Sequence, residues 1–259
     1  MGLKYAAGLP TVGEFGDVRK LVELAVSAER HGWDGVHLWD HLLYHEPAWP
    51  VTNSVVTAAA IAAATERVRI VLTVVLPRRQ AQDVAQESAA IAALSGGRLT
   101  LLPIIGSLDR EFTDFGLDAD LRSRGRALDE RLTLLTELWQ QWNVPRIPIW
   151  CGGLWPNRSG LRRAARFDGA MPIFEHQRDR NVPLDEFREV TDFVRHRRAD
   201  RTAEPFDFVL EGATTATTAK EQTTPYAEAG LTWWVEALGW WRGGVNAAAE
   251  RIGQGPKNA

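Results

Sequence analysis

A single cysteine, Cys151, in 259 residues excludes an internal disulfide, so the fold has to stand on its core without covalent staples. Lysine is almost as scarce. Four lysines (Lys4, Lys20, Lys220 and Lys257) among 30 basic residues leave 26 arginines, a bias of composition that makes any single arginine weak evidence for a site. Neither sign of charge dominates: 30 basic against 33 acidic residues give a net −3, which supplies no field for nucleic acid or an anionic membrane. The longest helix-like apolar run, VVTAAAIAAA at 55–64, falls short of the roughly 20 residues a bilayer requires. The N-terminus lacks the charged, apolar, small-residue order of a signal peptide. Together these absences predict a cytoplasmic protein whose partners are small molecules, with no nucleic acid and no membrane. No proline- or serine-rich linker interrupts the chain, and ATTATTAK at 213–220 is short enough for a loop, so one domain over 1–259 is predicted.

With 45% hydrophobic and 24% charged residues, the chain has enough apolar surface for a large core. Short β-rich runs alternate with segments of helical period from end to end. The strands are LKYAAGL (3–9), GVHLWD (35–40), VRIVLTVV (68–75), LTLLPII (99–105), IPIWC (147–151), GAMPI (169–173), FDFVLE (206–211) and LTWWVE (231–236). The helices fall at 17–31, 51–66, 80–94, 121–139, 159–166, 184–197, 219–229 and 245–252, and Gly32 and Gly96-Gly97 act as helix stops. Eight βα units in about 250 residues predict a closed (β/α)8 TIM barrel, since an open doubly wound sheet more often uses five to seven strands.

Active sites in such barrels gather at the C-terminal ends of the strands. Asp40 and His41 stand there, after the second strand. Strand alternation puts His37, Trp39 and His41 on one side and Leu38 and Asp40 on the other. Two readings stay open for the pair: groups facing the mouth, or an acid capping backbone amides beside a satisfied loop histidine. A metal site at His37, His41 and His45 is disfavoured, because spacing of four aligns ligands only on a helix; no metal is predicted. The stretch WCGGLWPNRSGLRRAAR (150–166) reads as strand, glycine turn and helix, with Asn157 or Ser159 as N-cap, which outlines an anion site; a solvated arginine face is the plainer alternative. Cys151 reads as core. The pairs Trp233-Trp234 and Trp240-Trp241 offer flat apolar surface for packing or for a ring system.

In this order of elements the chain resembles the bacterial-luciferase-like superfamily of flavin- or coenzyme F-420-dependent oxidoreductases, over nearly its whole length. The resemblance is carried by GWDGVHLWDH (32–41), ERVRIVLTVVLPRRQ (66–80), LSGGRL (94–99), DREFTDFG (109–116), IPIWCGGLWPNRSGLRRAARFDG (147–169) and PYAEAGLTWWVEALG (225–239). It implies a barrel binding coenzyme F-420, or alternatively FMN, at its C-terminal mouth. The ring would lie against a bulge at Thr73, Val74 and Val75, with a non-proline cis peptide at Val74–Val75 or one bond earlier. The phosphate would sit at Gly152, Gly153, Arg158 and Ser159, and Ile105 and Gly106 after the fourth strand would also meet the cofactor. Asp40 and His41 are then the catalytic pair, similar to that of the F-420-using members, and Trp49 and Trp155 are walls of the substrate pocket. Physically, an imidazole can bond a ring edge or move a proton while a carboxylate fixes its tautomer. Relatives also suggest a homodimer through the alanine-rich helices two and three.

Two departures stand out. LTLLPIIGSLD puts Leu102, Pro103, Ile104 and Ile105 where small residues or a phosphate-binding arginine are expected, and only QQWNVPR (140–146) precedes the fifth strand where relatives carry a sizeable insertion. A hydride-transferring or oxygen-activating oxidoreductase is the first functional reading. The second is a non-catalytic barrel that has lost cofactor binding and serves as a binding or scaffold protein. A metal-dependent hydrolase is the third.

Overall fold

Side-chain caps begin three of the helices. Asp17 accepts the Arg19 amide at 2.8 Å, Asn53 accepts the Val55 and Val56 amides at 2.9 and 3.0 Å, and Asp120 accepts the Ser123 amide at 2.8 Å. The computed structural model describes residues 2–256. In chain order its main elements are β1 (Lys4–Leu9), α1 (Val18–Arg30), β2 (Gly35–Leu38), α2 (Ser54–Ala64), β3 (Arg69–Val75), α3 (Ala81–Leu94), β4 (Leu99–Ile104), α4 (Arg110–Thr113), α5 (Leu121–Gln141), β5 (Trp150–Leu154), α6 (Ser159–Ala164), β6 (Gly169–Ile173), α7 (Leu184–Arg197), β7 (Asp207–Gly212), α8 (Ala219–Glu228), β8 (Trp233–Ala237) and α9 (Gly244–Gly253).

The strands are parallel and ordered β4-β3-β2-β1-β8-β7-β6-β5. Between β4 and β5 the sheet closes through the bridge Leu101↔Ile149 and the Leu101 amide on the Pro148 carbonyl at 2.9 Å. This is the eight-stranded barrel expected, nearly closed. Its outer layer packs alternate strand residues such as Leu9, Leu38, Leu72, Leu101 and Cys151 against the helices; its interior holds Ala6, Val71, Leu102, Trp150, Met171, Val209, Trp233 and Val235. Cys151 is fully buried, and burial pushes its thiol up to about 12, which makes it inert.

Five expectations need correction. β2 stops at Leu38 rather than Asp40. α2 starts at Ser54 rather than 51, where Asn53 caps it. β3 and β4 pair without a skipped residue from Ile70↔Leu99 to Val75↔Ile104, so Thr73, Val74 and Val75 form no bulge. The cis peptide bond among the described residues joins Trp155 to Pro156, not Val74 to Val75. The fifth strand is also displaced: Gly152 and Gly153 are inside β5, paired with Met171 and Pro172, and do not make a turn.

The glycines of β5 are there for close approach. A Cβ on Gly153 would meet Gly160 Cα of α6 at 2.8 Å, and one on Gly160 would overlap the Gly152 carbonyl oxygen and lie 2.7 Å from Gly153 Cα. Gly160→Ala therefore has to push α6 off the sheet, with an expected loss of about 3 kcal/mol. Gly125→Ala, inside α5 with nothing within 4 Å of the added atom, should gain about 0.5–1 kcal/mol. Urea unfolding of both variants checks the contrast, and equal effects would refute the packing account.

Candidate active site

Where β2 ends, Asp40 turns to its neighbours rather than to the mouth. Its Oδ2 accepts the Val75 amide at 2.7 Å, its Oδ1 accepts the Ser54 hydroxyl at 3.4 Å, and Arg78 Nη2 stands 3.0 Å away. The buried Arg78 guanidinium also lies 3.0 Å from Oε1 of Glu111 on α4. The same Oε1 accepts the Leu42 amide at 2.6 Å and lies 3.1 Å from His41 Nδ1. Asp40, Arg78, Glu111 and His41 thus form one chain of charged and polar contacts joining the segments after β2, β3 and β4. Glu111 is fully buried, and its Oε2 has no hydrogen-bond partner among the described residues. Burial disfavours its charge, but the hydrogen bond from His41 and the positive charge of Arg78 outweigh that, and its carboxyl stays below the ordinary value. Of the two readings of Asp40 and His41, these contacts fit the capping one: Asp40 accepts an amide, and His41 is held by a carboxylate.

With Nδ1 directed at Glu111, the remaining nitrogen of His41 is Nε2, and the ring stands edge-on to Trp39 and Tyr44 at 6.0 and 5.1 Å. Asp40, His41, Thr52, Asn53, Arg78 and Arg79 line a cleft of about 390 Å³. Next to it an aromatic wall crosses the mouth. Trp49 stacks on Tyr44 at 5.9 Å and meets Trp240 edge-on at 4.8 Å, and Trp39 stacks on Trp241 at 5.8 Å. Arg178, from the segment after β6, lies 5.4 Å from both Trp39 and Trp241.

The other sequence-derived candidates are spread widely. Thr73 faces the barrel interior and bonds His37, Val74 packs outward, and Val75 is held by Asp40. Ile105 is half-buried against the core. Gly106 takes φ +83°, and a Cβ there would meet Val75 Cγ1 at 2.8 Å, so a tight turn requires glycine. Gly152 and Gly153 are strand residues, the Ser159 amide is taken by Asn157 Oδ1 at 3.2 Å, and the Arg158 guanidinium lies over Trp155 and Phe193 at 5.7 and 5.1 Å. Gly152 and Gly153 therefore lie in the ladder and do not form the glycine turn expected there. Trp155 belongs to the barrel–helix layer, edge-on to Phe193 of α7. His37 and His41 bond Thr73 and Glu111 respectively, so the histidines do not converge.

Sequence reading missed Glu111, although DREFTDFG contains it. A carboxylate next to the buried Phe112 was the available signal. It also missed the exposed Leu154 and Ile173, paired at the C-terminal ends of β5 and β6 next to Gly152 and the inward Ile104.

Comparison with known proteins is informative at this point. A family described as luciferase-like monooxygenase matches residues 4–254. An F-420-dependent glucose-6-phosphate dehydrogenase of Gordonia bronchialis is 31% identical over 144 residues, which is 54% of this chain and 43% of that protein's length. Among solved structures, an F-420-dependent secondary alcohol dehydrogenase in complex with an F-420–acetone adduct superposes with a TM-score of 0.80 at 14% identity, covering 98% of both chains. The oxygenating constituent of 3,6-diketocamphane monooxygenase from the CAM plasmid of Pseudomonas putida, in complex with FMN, gives 0.70 at 14% identity, covering 86% of this chain and 70% of that one. At these identities the structural likeness shows the fold.

Removal of Arg78 leaves two carboxylates without their shared counter-charge. Arg78→Met should cost about 3–5 kcal/mol at pH 7. A carboxyl with a depressed folded pKa contributes stability above its ordinary value of 4.5 and loses it as pH falls through the folded value. Without Arg78 the folded Glu111 carboxyl loses a cause of its depression and returns toward its ordinary value, so the loss of melting temperature on acidification that Glu111 contributes should shrink and the acid limb flatten. A loss under about 1 kcal/mol with an unchanged acid limb would show that the network is incidental.

Proposed function

Because the chain belongs to the luciferase-like monooxygenase family, we propose that it is an oxidoreductase acting on a small organic substrate at the barrel mouth, with coenzyme F-420 as cofactor in preference to FMN. The observation that carries the chemistry is the His41–Glu111 contact of 3.1 Å at the mouth. A buried carboxylate that accepts from Nδ1 fixes the imidazole's tautomer and leaves Nε2 to accept or donate a proton. Arg78 holds Glu111 ionised, and Asp40 fixes Arg78, so the role proposed for Asp40 is to position the pair rather than to touch substrate.

The residues at the mouth suit a tricyclic ring. Ile104, Leu154 and Ile173 offer a partly exposed apolar shelf for its face, and His41 offers a polar group for its edge. The bound cofactor would supply hydride transfer. For its anionic tail, Arg178 is the guanidinium held by ring faces and by Tyr44 Oη at 3.4 Å rather than by a carboxylate. The aromatic wall of Trp39, Trp49 and Trp241 would exclude water and border the substrate. The preference for F-420 follows the Asp40-His41 pair and Ile105, which stands where an FMN-binding arginine is expected; one missing charge-assisted contact is worth roughly 1.5–3 kcal/mol, or one to two decades in affinity. A homodimer through α2 and α3 remains part of the proposal, supported by the exposed Val56 and Leu94 on these helices. No helix among the described residues is long and apolar enough to cross a membrane.

The second reading, a barrel that has lost its cofactor, is favoured by the regular β3–β4 ladder, which offers no bulge for a ring to rest against. Fluorescence titration separates the two: F-420 should bind at least tenfold tighter than FMN, whereas no binding of either up to millimolar establishes the non-catalytic reading. His41→Ala should retain cofactor affinity and lower turnover by about 10²–10⁴. Turnover unchanged within a factor of three would remove His41 from the mechanism.

A further inference from the structure

Inside the barrel, behind the loops of the mouth, three polar side chains meet. His37 of β2 and Thr73 of β3 face inward with Nε2 2.9 Å from Oγ1. Glu211 of β7 brings its Oε2 to 3.9 Å from His37 Nδ1, and that nitrogen has no hydrogen-bond partner among the described residues. All three residues are buried, at 4%, 5% and 8% exposure. Room for the meeting comes from the intervening strands β1 and β8, where Gly8 pairs with His37 on one side and Ala237 on the other. Other interior positions carry Val71, Leu102, Met171 or Trp233. An apolar filling here would avoid the desolvation of an acid and an imidazole, so the polar group has no packing reason to exist.

Burial acts on both ionisable groups. It pushes the Glu211 carboxyl up to about 7, against the charge of Arg178 and a Gln177 hydrogen bond and with the charge of Glu236 adding to it, and pushes the His37 imidazole down to about 4. Arg178 after β6 and Glu236 of β8 are the charged groups acting on Glu211. Lys4, Arg69 and Asp207 stand at the opposite, N-terminal ends of β1, β3 and β7. A neutral imidazole that donates Nε2–H to Thr73 presents its Nδ1 lone pair toward the carboxyl. The 3.9 Å gap is too long for a direct bond, but one oxygen atom beside the line reaches both ends at ordinary hydrogen-bond lengths.

We infer that His37 and Glu211 form a second acid–base site within the barrel, separate from His41–Glu111, which holds one shared proton and takes a hydroxyl or carbonyl oxygen between its two members. A bound hydroxyl gives its proton to the Glu211 carboxylate; a bound carbonyl oxygen that gains negative charge takes the proton from the Glu211 carboxyl. No electrons move at the pair. Its link to a substrate rests on the oxidoreductase reading, while the shared proton does not.

The test is an NMR titration of the cofactor-free protein from pH 5 to 9, following the carboxyl carbon of Glu211 and the ring of His37, each identified by its absence in Glu211→Gln or His37→Gln. The Glu211 signal should titrate near pH 7, the His37 ring should move with the same midpoint, and His37→Gln should shift the Glu211 midpoint by more than half a pH unit. Thr73→Val, which keeps the shape, should shift it in the same way if His37→Gln does not fold. Added 2-propanol, as the probe, should perturb both signals in the parent protein and neither in Thr73→Val. A Glu211 carboxyl ionised throughout, or a midpoint indifferent to His37 and Thr73, overturns the shared proton; no response to 2-propanol overturns the ligand. If F-420 binds neither the parent protein nor Glu211→Gln while the coupled titration is present, the oxidoreductase reading fails and the proton site stands.

Discussion

Arg78 holds the C-terminal end of the first half-barrel together. Its buried guanidinium lies 3.0 Å from both Asp40 and Glu111. Through Asp40 it reaches the Val75 amide that ends β3, and through Glu111 it reaches the Leu42 amide and His41. Three segments that follow three successive strands are thereby tied to one point charge, and the orientation of His41 is a consequence. Two carboxylates around a single guanidinium leave one uncompensated negative charge when the imidazole is neutral. A buried arrangement of this kind is poor economy for stability alone, because apolar residues of equal volume avoid the desolvation of all three charges. Its worth lies in fixing where the loops go.

The regularity of β3 follows from the same constraint. Because Asp40 takes the Val75 amide, the strand is held at its last residue, and the ladder with β4 runs through to Val75↔Ile104 without a bulge. Gly106 then turns back tightly over Val75 and Phe112, which brings α4 and Glu111 within reach of His41. The absence of a bulge and the placement of Glu111 are thus two outcomes of one tie. Exposed apolar side chains at the strand ends lie instead at β5 and β6, where Leu154 and Ile173 stand.

The barrel was legible because its signals are local. Asp17 and Asp120 mark helix starts, Gly32 and Gly96-Gly97 mark stops, and apolar runs mark strands to within about two residues at most positions. The fifth strand escaped because apolar content ends at Cys151, whereas the ladder is a backbone matter and Gly152 and Gly153 carry no side chain to signal it. Asp40 and His41 were legible as a pair at a strand end. Their partner was not, since Glu111 lies 70 positions from His41 and an acid next to Arg110 looks like a solvated face. Alternation put His37 on one side of GVHLWD, but Glu211 at the end of FDFVLE was not singled out, and their meeting depends on Gly8 and Ala237, which only the strand order puts between them.

The wall of the mouth is supplied by the aromatic residues after β2 and β8, with Arg178 over Trp39 and Trp241. The short connection from α5 to β5 stays at the opposite, N-terminal end of the strands, where Arg146 pairs with Asp168. Arg178 also acts on Glu211, so the residue that covers the mouth is the one whose charge opposes protonation of the interior acid. A ligand that displaces Arg178 from the two tryptophans removes that charge and at the same time excludes water from the carboxyl. Both changes favour the protonated form. The position of Arg178 over the two tryptophans and the protonation of Glu211 are therefore coupled by electrostatics.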